Sequence, residues 1–357
     1  MNEVPVEPAV RRKRGVRFTE IAAAAGVSLA SVDRVLNERG NVSSAVQGRV
    51  IEAARRLAVP RVLPDIRHGL LHVDVLLPAN DTPFFQRLRL ALQRSVQMLE
   101  KRVVVHRTII GSEQGFIDAI NATRYPRAGL ILTAWDSPAI RAALQTVIAA
   151  GTPVVTLVTD IETVERRHYA GIDNVSAGRT AAFFVDRLGR AGGDVLVLSS
   201  RADFGAHRDR LAGFRSGLAA SFRTTPPTSG IETHDDPDLC YRSVVAALKR
   251  GDLAAVYNSG YGASGIAAAL DEFGMAGKVV WIGHEITDEH RRYVERGMMD
   301  IVIDQDPDGQ VLSALQHVLH ACGVIAEPPA CGPVEFGLFC RANVRRTPYL
   351  QPSAPPA

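Results

Sequence analysis

The sequence predicts an α/β protein in two parts: a small all-helical head and a long body of doubly wound parallel sheets arranged as two lobes. Three observations predict it. Apolar residues recur at helical spacing from Thr19 to Leu57, interrupted at Gly26 and again before Ser43. From residue 71 onward, short Val/Ile/Leu runs alternate with amphipathic stretches, the pattern of parallel strands covered on both faces by helices. The charge divides at nearly the same place. Residues 1–62 hold 11 Lys+Arg against 6 Asp+Glu, giving +5, and the remainder holds 30 against 32, giving −2, which together make the chain's +3.

The head is read first. Thr19 is a candidate N-cap for a helix over Glu20 to Ala25, Gly26 breaks it, and Ser28 caps a second helix from Leu29 to Asn37. Two short helices joined by a glycine-containing turn form a helix-turn-helix, whose second helix can enter a DNA major groove. Ile21, Ala22, Ala25, Val27, Val32, Val35 and Leu36 share one face and supply a small core, while Arg34, Asn37 and Arg39 stay polar. A third helix, capped by Ser43 or Ser44 and reaching Leu57, adds Val46, Val50, Ala53 and Ala54 to that core. The run Arg11 to Arg14 and the exposed Arg49, Arg55 and Arg56 place positive charge where phosphates would need it. Residues 61–70 read as a linker in which Pro64 interrupts any helix begun at Pro60. Leu63 is the one candidate there for a minor-groove wedge.

In the body, strands are expected at His72–Leu77, Lys101–Arg107, Gly129–Thr133, Pro153–Val158, Asp194–Ser199, Ala254–Asn258, Lys278–Gly283 and Asp300–Asp304. Helices are expected at Phe84–Glu100, Pro138–Ala150, Ser176–Arg190, Arg208–Ala220, Asp238–Arg250 and Ala263–Phe273. The domain scheme is a head over 1–60, a linker over 61–70, a two-lobed body over 71–345 and a tail over 346–357. Lobe one takes about 71–160 plus 286–304, and lobe two about 161–285 plus 305–345. Ligands bind such sheets beyond the carboxyl ends of the strands, which directs attention to Pro78–Phe85, Val158–Asp160, Asn258–Ser259, His284–Glu285 and Asp304–Asp306.

At this point a resemblance can be stated. Glu20–Asn37 (EIAAAAGVSLASVDRVLN), then Asn41-Val42-Ser43, then Arg49–Val59 (RVIEAARRLAV), resemble the headpiece of the lac repressor family of bacterial transcription regulators over nearly all of residues 17–59. The body resembles the periplasmic-binding-protein fold over roughly residues 72–340. For the head, the resemblance implies that Leu29 and Ala30 face base edges, and that Thr19, Ser28, Ser31, Arg34, Asn37 and Asn41 hold phosphates or bases. Asp33 departs from the family's usual serine, so operator preference is expected to be unusual. For the body, it implies a small sugar or polyol effector held by Asn80, Thr82, Phe84, Phe85, Asp136, Thr159, Asp160, Arg210, Ser259, Glu285 and Gln305. Phe84 or Phe85 would stack on a sugar ring, Arg210 would clamp hydroxyls, and Glu285 stands where aspartate is usual. Aromatic faces cover C–H surface, and carboxylate, guanidinium and amide groups satisfy hydroxyls. The resemblance further implies a homodimer on pseudo-palindromic operator DNA. Ligand closure of the two lobes would shift its population between states.

Other classes are weighed against this one. Gly260-Tyr261-Gly262-Ala263-Ser264-Gly265 is a G-x-G-x-x-G after an expected strand, with Glu285 about twenty residues on. Read literally, it would make the chain an NAD-dependent oxidoreductase. It lies deep in the second lobe, however, and no hydride-site constellation accompanies it. A free solute-binding receptor would fit the body alone but not the basic head. His317, His320 and Cys322, with Cys331 and Cys340, match no zinc module. No catalytic residue, cofactor or metal is expected. No run approaches the roughly 18 apolar residues of a membrane span, and no apolar segment follows Arg11–Arg14 as a secretory signal requires. Four scattered cysteines suit reduced thiols, so a cytoplasmic protein with no membrane partner is expected.

Overall fold

The computed structural model describes residues 18–37, 42–57, 59, 70–122, 124–201, 203–219 and 230–347. The chain divides into two compact units, with the boundary between Leu70 and Leu71.

The head unit has three helices, α1 (Phe18–Ala25), α2 (Leu29–Leu36) and α3 (Ser44–Arg56). Gly26 adopts φ +61° and releases the chain from α1. Ser28 then caps α2, its Oγ accepting the Ser31 N–H at 3.2 Å. Ile21, Val32, Leu36, Val50, Ile51 and Ala54 close the core, with 0–1 % exposure each. Helix α1 begins one residue before Thr19, which therefore sits exposed in the first turn and is not a cap. The expected linker around Leu63 and Pro64, and Asn41, lie outside the described residues.

The body contains two sheets. The first runs β2 (Val103–Ile110), β1 (Leu71–Pro78), β3 (Arg127–Leu132), β4 (Val154–Leu157) and β5 (His168–Ala170), all parallel. The second runs β11 (Gly337–Phe339), β10 (Ile301–Asp304), β9 (Val280–His284), β8 (Leu253–Asn258), β6 (Asp194–Ser199) and β7 (Ile231–Glu232), with only β11 antiparallel. Each sheet places its first strand between the second and third, so each has a switch point where neighbouring connections leave toward opposite faces.

One face of the first sheet packs against α4 (Pro83–Gln97) and α12 (Pro307–Ala321), through Phe84, Leu88, Leu92, Val311, Leu315 and Val318. The other face is covered by α5 (Glu113–Asn121) and α6 (Pro138–Ala149). The second sheet buries one face under α7 (Asn174–Leu188) and α8 (Gly205–Ala219). Its other face lies under α9 (Pro237–Arg250), α10 (Ala263–Glu272) and α11 (Asp288–Glu295). Proline at the first turn of α4, α6, α9 and α12 follows a Thr, Ser or Asp at the preceding position, which stops each strand-end loop and starts the helix at a defined residue.

This topology corrects the expected division into lobes. Strand β10 (301–304) belongs to the second sheet, and α12 (307–321) packs on the first, the reverse of the allotment of 286–304 and 305–345. The segment 286–304 is continuous in space with β9, and the crossing back to lobe one occurs only after Asp304. Strands β5, β7 and β11 are two or three residues long at or near sheet edges. They are too short to carry a periodicity, and the sequence does not signal them.

Helices α7 and α8 approach closely because Gly178 has no side chain: a Cβ there would lie 2.1 Å from the Arg210 carbonyl oxygen. Gly178→Ala should therefore destabilise the body by about 1–3 kcal/mol, as overpacking a close contact does, read as a lowered urea midpoint.

Candidate functional site

The carboxyl ends of the two sheets enclose a cavity whose empty volume, open mouth included, is about 790 Å³. Helix α4 contributes Phe84 and Phe85, each 7 % exposed, with ring centroids 5.3 Å apart in an edge-to-face pair. Pro83 and Thr82 precede them on the wall. Asn80, also on the wall, spends its Oδ1 accepting the Thr82 N–H at 2.9 Å, which fixes the loop after β1.

From the second lobe comes Arg210, 3 % exposed on α8. Its Nε donates to Asn174 Oδ1 at 2.8 Å and its Nη1 to the Ser259 carbonyl at 2.9 Å. Nη2 makes no hydrogen bond to a described residue, and Arg210 lines the cavity. Asn174 in turn donates to the Tyr169 hydroxyl at 2.9 Å, and Asp173 caps α7, so that pair holds the loop beside Arg210. Thr159 and Ser259 face the cavity from the ends of β4 and β8. Thr159 Oγ1 accepts the Ala206 N–H at 3.3 Å, a contact between lobes.

Glu285 follows β9 at φ +67°. Its Oε1 accepts from Gln305 Nε2, whereas its Oε2 and the Gln305 Oε1 are buried with no partner. Burial, seconded by the nearby Asp304 charge, pushes the Glu285 carboxyl up to about 8. Val158, Asp235 and Glu285 all have positive φ and all line the cavity. Such backbone, strained above all for β-branched Val158, gathers where a site must be held in shape.

Two expected ligands stand apart from the wall. Asp136 is caught by Arg141 at 2.6 Å and by Arg208, across the lobes, at 3.2 Å. The hydrogen bond from Arg141, before any other cause, holds its carboxyl below the usual range. Asp160 accepts from Thr156 Oγ1 at 2.7 Å and from the Ile161 N–H at 2.8 Å, and pairs with Arg166. Both carboxylates are consumed by neighbouring cations and shape loops. Conversely, the cavity wall includes Thr133, Arg201, Phe204, His207, Asp235 and Tyr261, which the sequence reading did not single out. Thr133, Arg201, Asp235 and Tyr261 lie just after strand ends, the signal by which they could have been found, and Phe204 and His207 lie at the start of α8. Burial pushes His207 down to about 3 and His290 down to about 4, and lowers the buried His284 as well, so the histidines of the wall are neutral.

The glycine-rich turn has a structural use. Gly262 caps α10 at φ +103°, open only to glycine at low cost. A Cβ on Gly265 would lie 1.9 Å from the Pro237 carbonyl oxygen, so the third glycine seats α10 against α9. His317 stacks on His168 at 3.6 Å, and Cys322 is buried with Sγ 3.1 Å from the Ala128 carbonyl oxygen. Cys240 is also buried, Cys340 is half-buried and Cys331 is exposed. Among the described residues no group of three or more His, Cys, Asp or Glu could hold a metal ion, and no helix is long and apolar enough to cross a membrane.

On the head, Leu29 (50 % exposed), Ala30, Arg34 and Asn37 form the exposed face of α2. Ser28 and Ser31 bond each other at 2.9 Å, and Asn37 Nδ2 donates to Asp33 Oδ1 at 2.7 Å. Arg34 makes no hydrogen bond or ion pair with a described residue.

A helix-turn-helix head on a two-lobed body with a cleft of this composition defines a class: DNA-binding regulators carrying a solute-binding domain. Comparison with known families agrees. The model described as "Periplasmic binding protein domain" matches residues 73–322, and that described as "Bacterial regulatory proteins, lacI family" matches residues 18–58. The chain belongs to the periplasmic binding protein domain family and, by its head, to the lacI family of regulators. It is 30 % identical over 141 residues to the D-allose-binding periplasmic protein of Escherichia coli, covering 38 % of this chain and 44 % of that protein. It is 28 % identical over 137 residues to the ribose import binding protein of Bacillus subtilis, covering 38 % and 45 %. The matched stretch thus spans less than half the length of these relatives. Among solved structures, a solute-binding protein from Burkholderia graminis in complex with D-arabinose superposes with TM-score 0.71 at 18 % identity, over 79 % of this chain and 99 % of that one. A glucose-galactose binding protein from Geobacillus stearothermophilus gives 0.68 at 19 % identity, over 78 % and 99 %. These two establish the fold.

The raised carboxyl of Glu285 has a consequence for stability. Its folded value of about 8 lies above the ordinary carboxylate value of about 4.3. The folded chain therefore holds a proton that the unfolded chain has lost, and this contribution is complete below about pH 4 and gone as pH rises through about 8. Glu285→Gln should gain thermal midpoint relative to the wild type between pH 5 and pH 8.5, a difference that differential scanning fluorimetry across that range can read.

Proposed function

We propose that this regulator represses genes for carbohydrate uptake or catabolism and is controlled by a small neutral sugar or polyol bound between its lobes. The observation that carries the reading is the cleft itself. An edge-to-face phenylalanine pair, a buried arginine whose Nη2 makes no hydrogen bond to a described residue, and a carboxyl–amide pair with two unpartnered oxygens all converge on one space. A polyol offers both hydroxyl donors and acceptors at short intervals, along with C–H faces that aromatic rings cover. The names of the relatives, which include binders of D-allose and ribose, support the same ligand class.

The head reads operator DNA in the cytoplasm through the exposed face of α2. Arg34 is the side chain free to form a forked contact with a guanine edge, and Leu29 and Ala30 offer apolar contact to thymine methyl groups. Asp33 occupies the Asn37 amide nitrogen, so Asn37 presents its carbonyl oxygen outward and reads donors such as a cytosine amino group. Two heads in a homodimer would engage the halves of a pseudo-palindrome. Effector binding shifts the population of lobe arrangements, and the dimer converts that shift into a change in head spacing.

Arg210→Ala should abolish the effector response in an operator gel shift while leaving operator affinity within about twofold, since it removes the guanidinium from the cleft and leaves the residues of α2 unchanged. Equal loss of both would remove the cleft assignment. Arg34→Ala should weaken operator binding by roughly tenfold, about the value of a base-edge contact. Its effector affinity by calorimetry should stay that of the wild type, and unchanged operator affinity would exclude Arg34 from the reading face.

A further inference from the structure

One cation tied to the cleft lies outside its wall. Arg87, one turn into α4 beyond Phe84, directs its guanidinium to the second lobe. Nη1 donates to Asp304 Oδ1 at 2.5 Å and to the Ile286 carbonyl at 2.9 Å, and Nη2 donates to Asp304 Oδ2 at 3.1 Å. The same Nη1 lies 4.0 Å from Glu285 Oε2, beyond hydrogen-bond reach. Asp304 also accepts the backbone N–H of Ile286 at 3.0 Å and of Asp306 at 3.4 Å. One guanidinium thus faces two carboxyls and is hydrogen-bonded to Asp304. Asp304 has donors on both oxygens, while Glu285 keeps Oε2 unpartnered beside the cavity. The ion pair is buried, with side chains 13 % and 8 % exposed, and it joins the first-lobe helix that carries the phenylalanines to the second-lobe strand end next to the crossing between lobes.

We propose that Arg87 is a positioning residue for effector binding: by gripping Asp304 and the Ile286 carbonyl it holds both second-lobe strand-end loops against α4 and fixes how the Glu285 carboxyl meets the effector. The inference rests on the reading of the cleft as the effector site. Removing one partner of a buried pair leaves the other charge uncompensated, so loss of Arg87 would set Asp304 and Glu285 side by side with no cation between them. The charged and titratable groups around Glu285 enter the balance. These are Arg87 from α4, Arg210 from α8, Asp304 from β10, His290 from α11, whose Nδ1 meets the Glu285 carbonyl, and His284 beside it in the chain. Arg201, Asp235 and His207 lie farther along the same wall. Taking away the Arg87 cation strengthens the hold of Glu285 on its proton, and taking away the Asp304 anion weakens it. The opposition shows that both charges reach Glu285, and the sugar affinities separate a positioning role from a merely structural pair.

The test uses the full-length protein labelled with carbon-13 at the glutamate side-chain carboxyls, the Glu285 signal being the one lost in Glu285→Gln. The titration midpoint of that signal should rise in Arg87→Gln, fall in Asp304→Asn, and lie between wild type and Arg87→Gln in Arg87→Lys, which keeps the charge but not the fork. In parallel, D-ribose, D-allose and D-arabinose are titrated calorimetrically into each protein at pH 7. Arg87→Gln should weaken the tightest of the three by roughly tenfold or more, with partial recovery in Arg87→Lys, the variant that also decides the matter if Arg87→Gln does not fold. Midpoints that stay put or move together, or sugar affinity within twofold of wild type, would overturn the proposal. If none of the three sugars binds the wild type, the sugar reading of the cleft fails, and the carboxyl titration still decides whether Arg87 governs Glu285.

Discussion

The body is organised around a buried guanidinium that pairs with no carboxylate among the described residues. Arg210 is held by an amide oxygen from α7 and a carbonyl at the end of β8, both neutral. Its charge is felt across the cleft by Glu285, His207 and His284, each of whose protonation it lowers. The arrangement depends on α8 lying almost on α7, which in turn depends on Gly178 lacking a side chain beneath the Arg210 carbonyl. A full positive charge, 3 % exposed and with both N–H groups of Nη2 unused by any described residue, is costly to keep unless something polar enters the cavity. The packing of one helix pair therefore sets the chemistry that the cleft can accept.

The strand ends supply the rest. In a parallel sheet every strand presents its carboxyl end to the same side, and here both sheets turn that side to one cavity. Left-handed backbone at Val158, Asp235 and Glu285 is the local cost of aiming those loops inward. Asp136 and Asp160 show the opposite fate, since loop carboxylates that meet arginines nearby become structural ties.

Much of this was legible in the sequence. Long buried strands such as β1 and β8 announce themselves as apolar runs, and Phe84, Arg210 and Gln305, named through the family resemblance, all line the cavity. Three things were not legible. Strands of two or three residues have no period to read. The second crossing between lobes falls within a few residues of Asp304, and nothing local distinguishes a chain that turns back to its own sheet from one that leaves it. Whether a carboxylate ligates or ties depends on arginines that only the fold brings near, as Arg208 is brought to Asp136 across the lobes.

The placement of α12 on the first sheet means that lobe one is built from two separated pieces of chain, strands from the beginning of the body and a helix from near its end. During synthesis the head, whose core is drawn entirely from residues 18–59, is complete when fewer than a fifth of the residues have been joined. The first lobe, by contrast, cannot bury Val73, Leu88 and Val155 fully until Val311 and Leu315 arrive. Nascent chains thus expose an apolar sheet face for most of their elongation, an interval in which chaperone protection matters. A chain cut short before residue 307 would keep the core of the head whole while leaving that face of the first sheet bare.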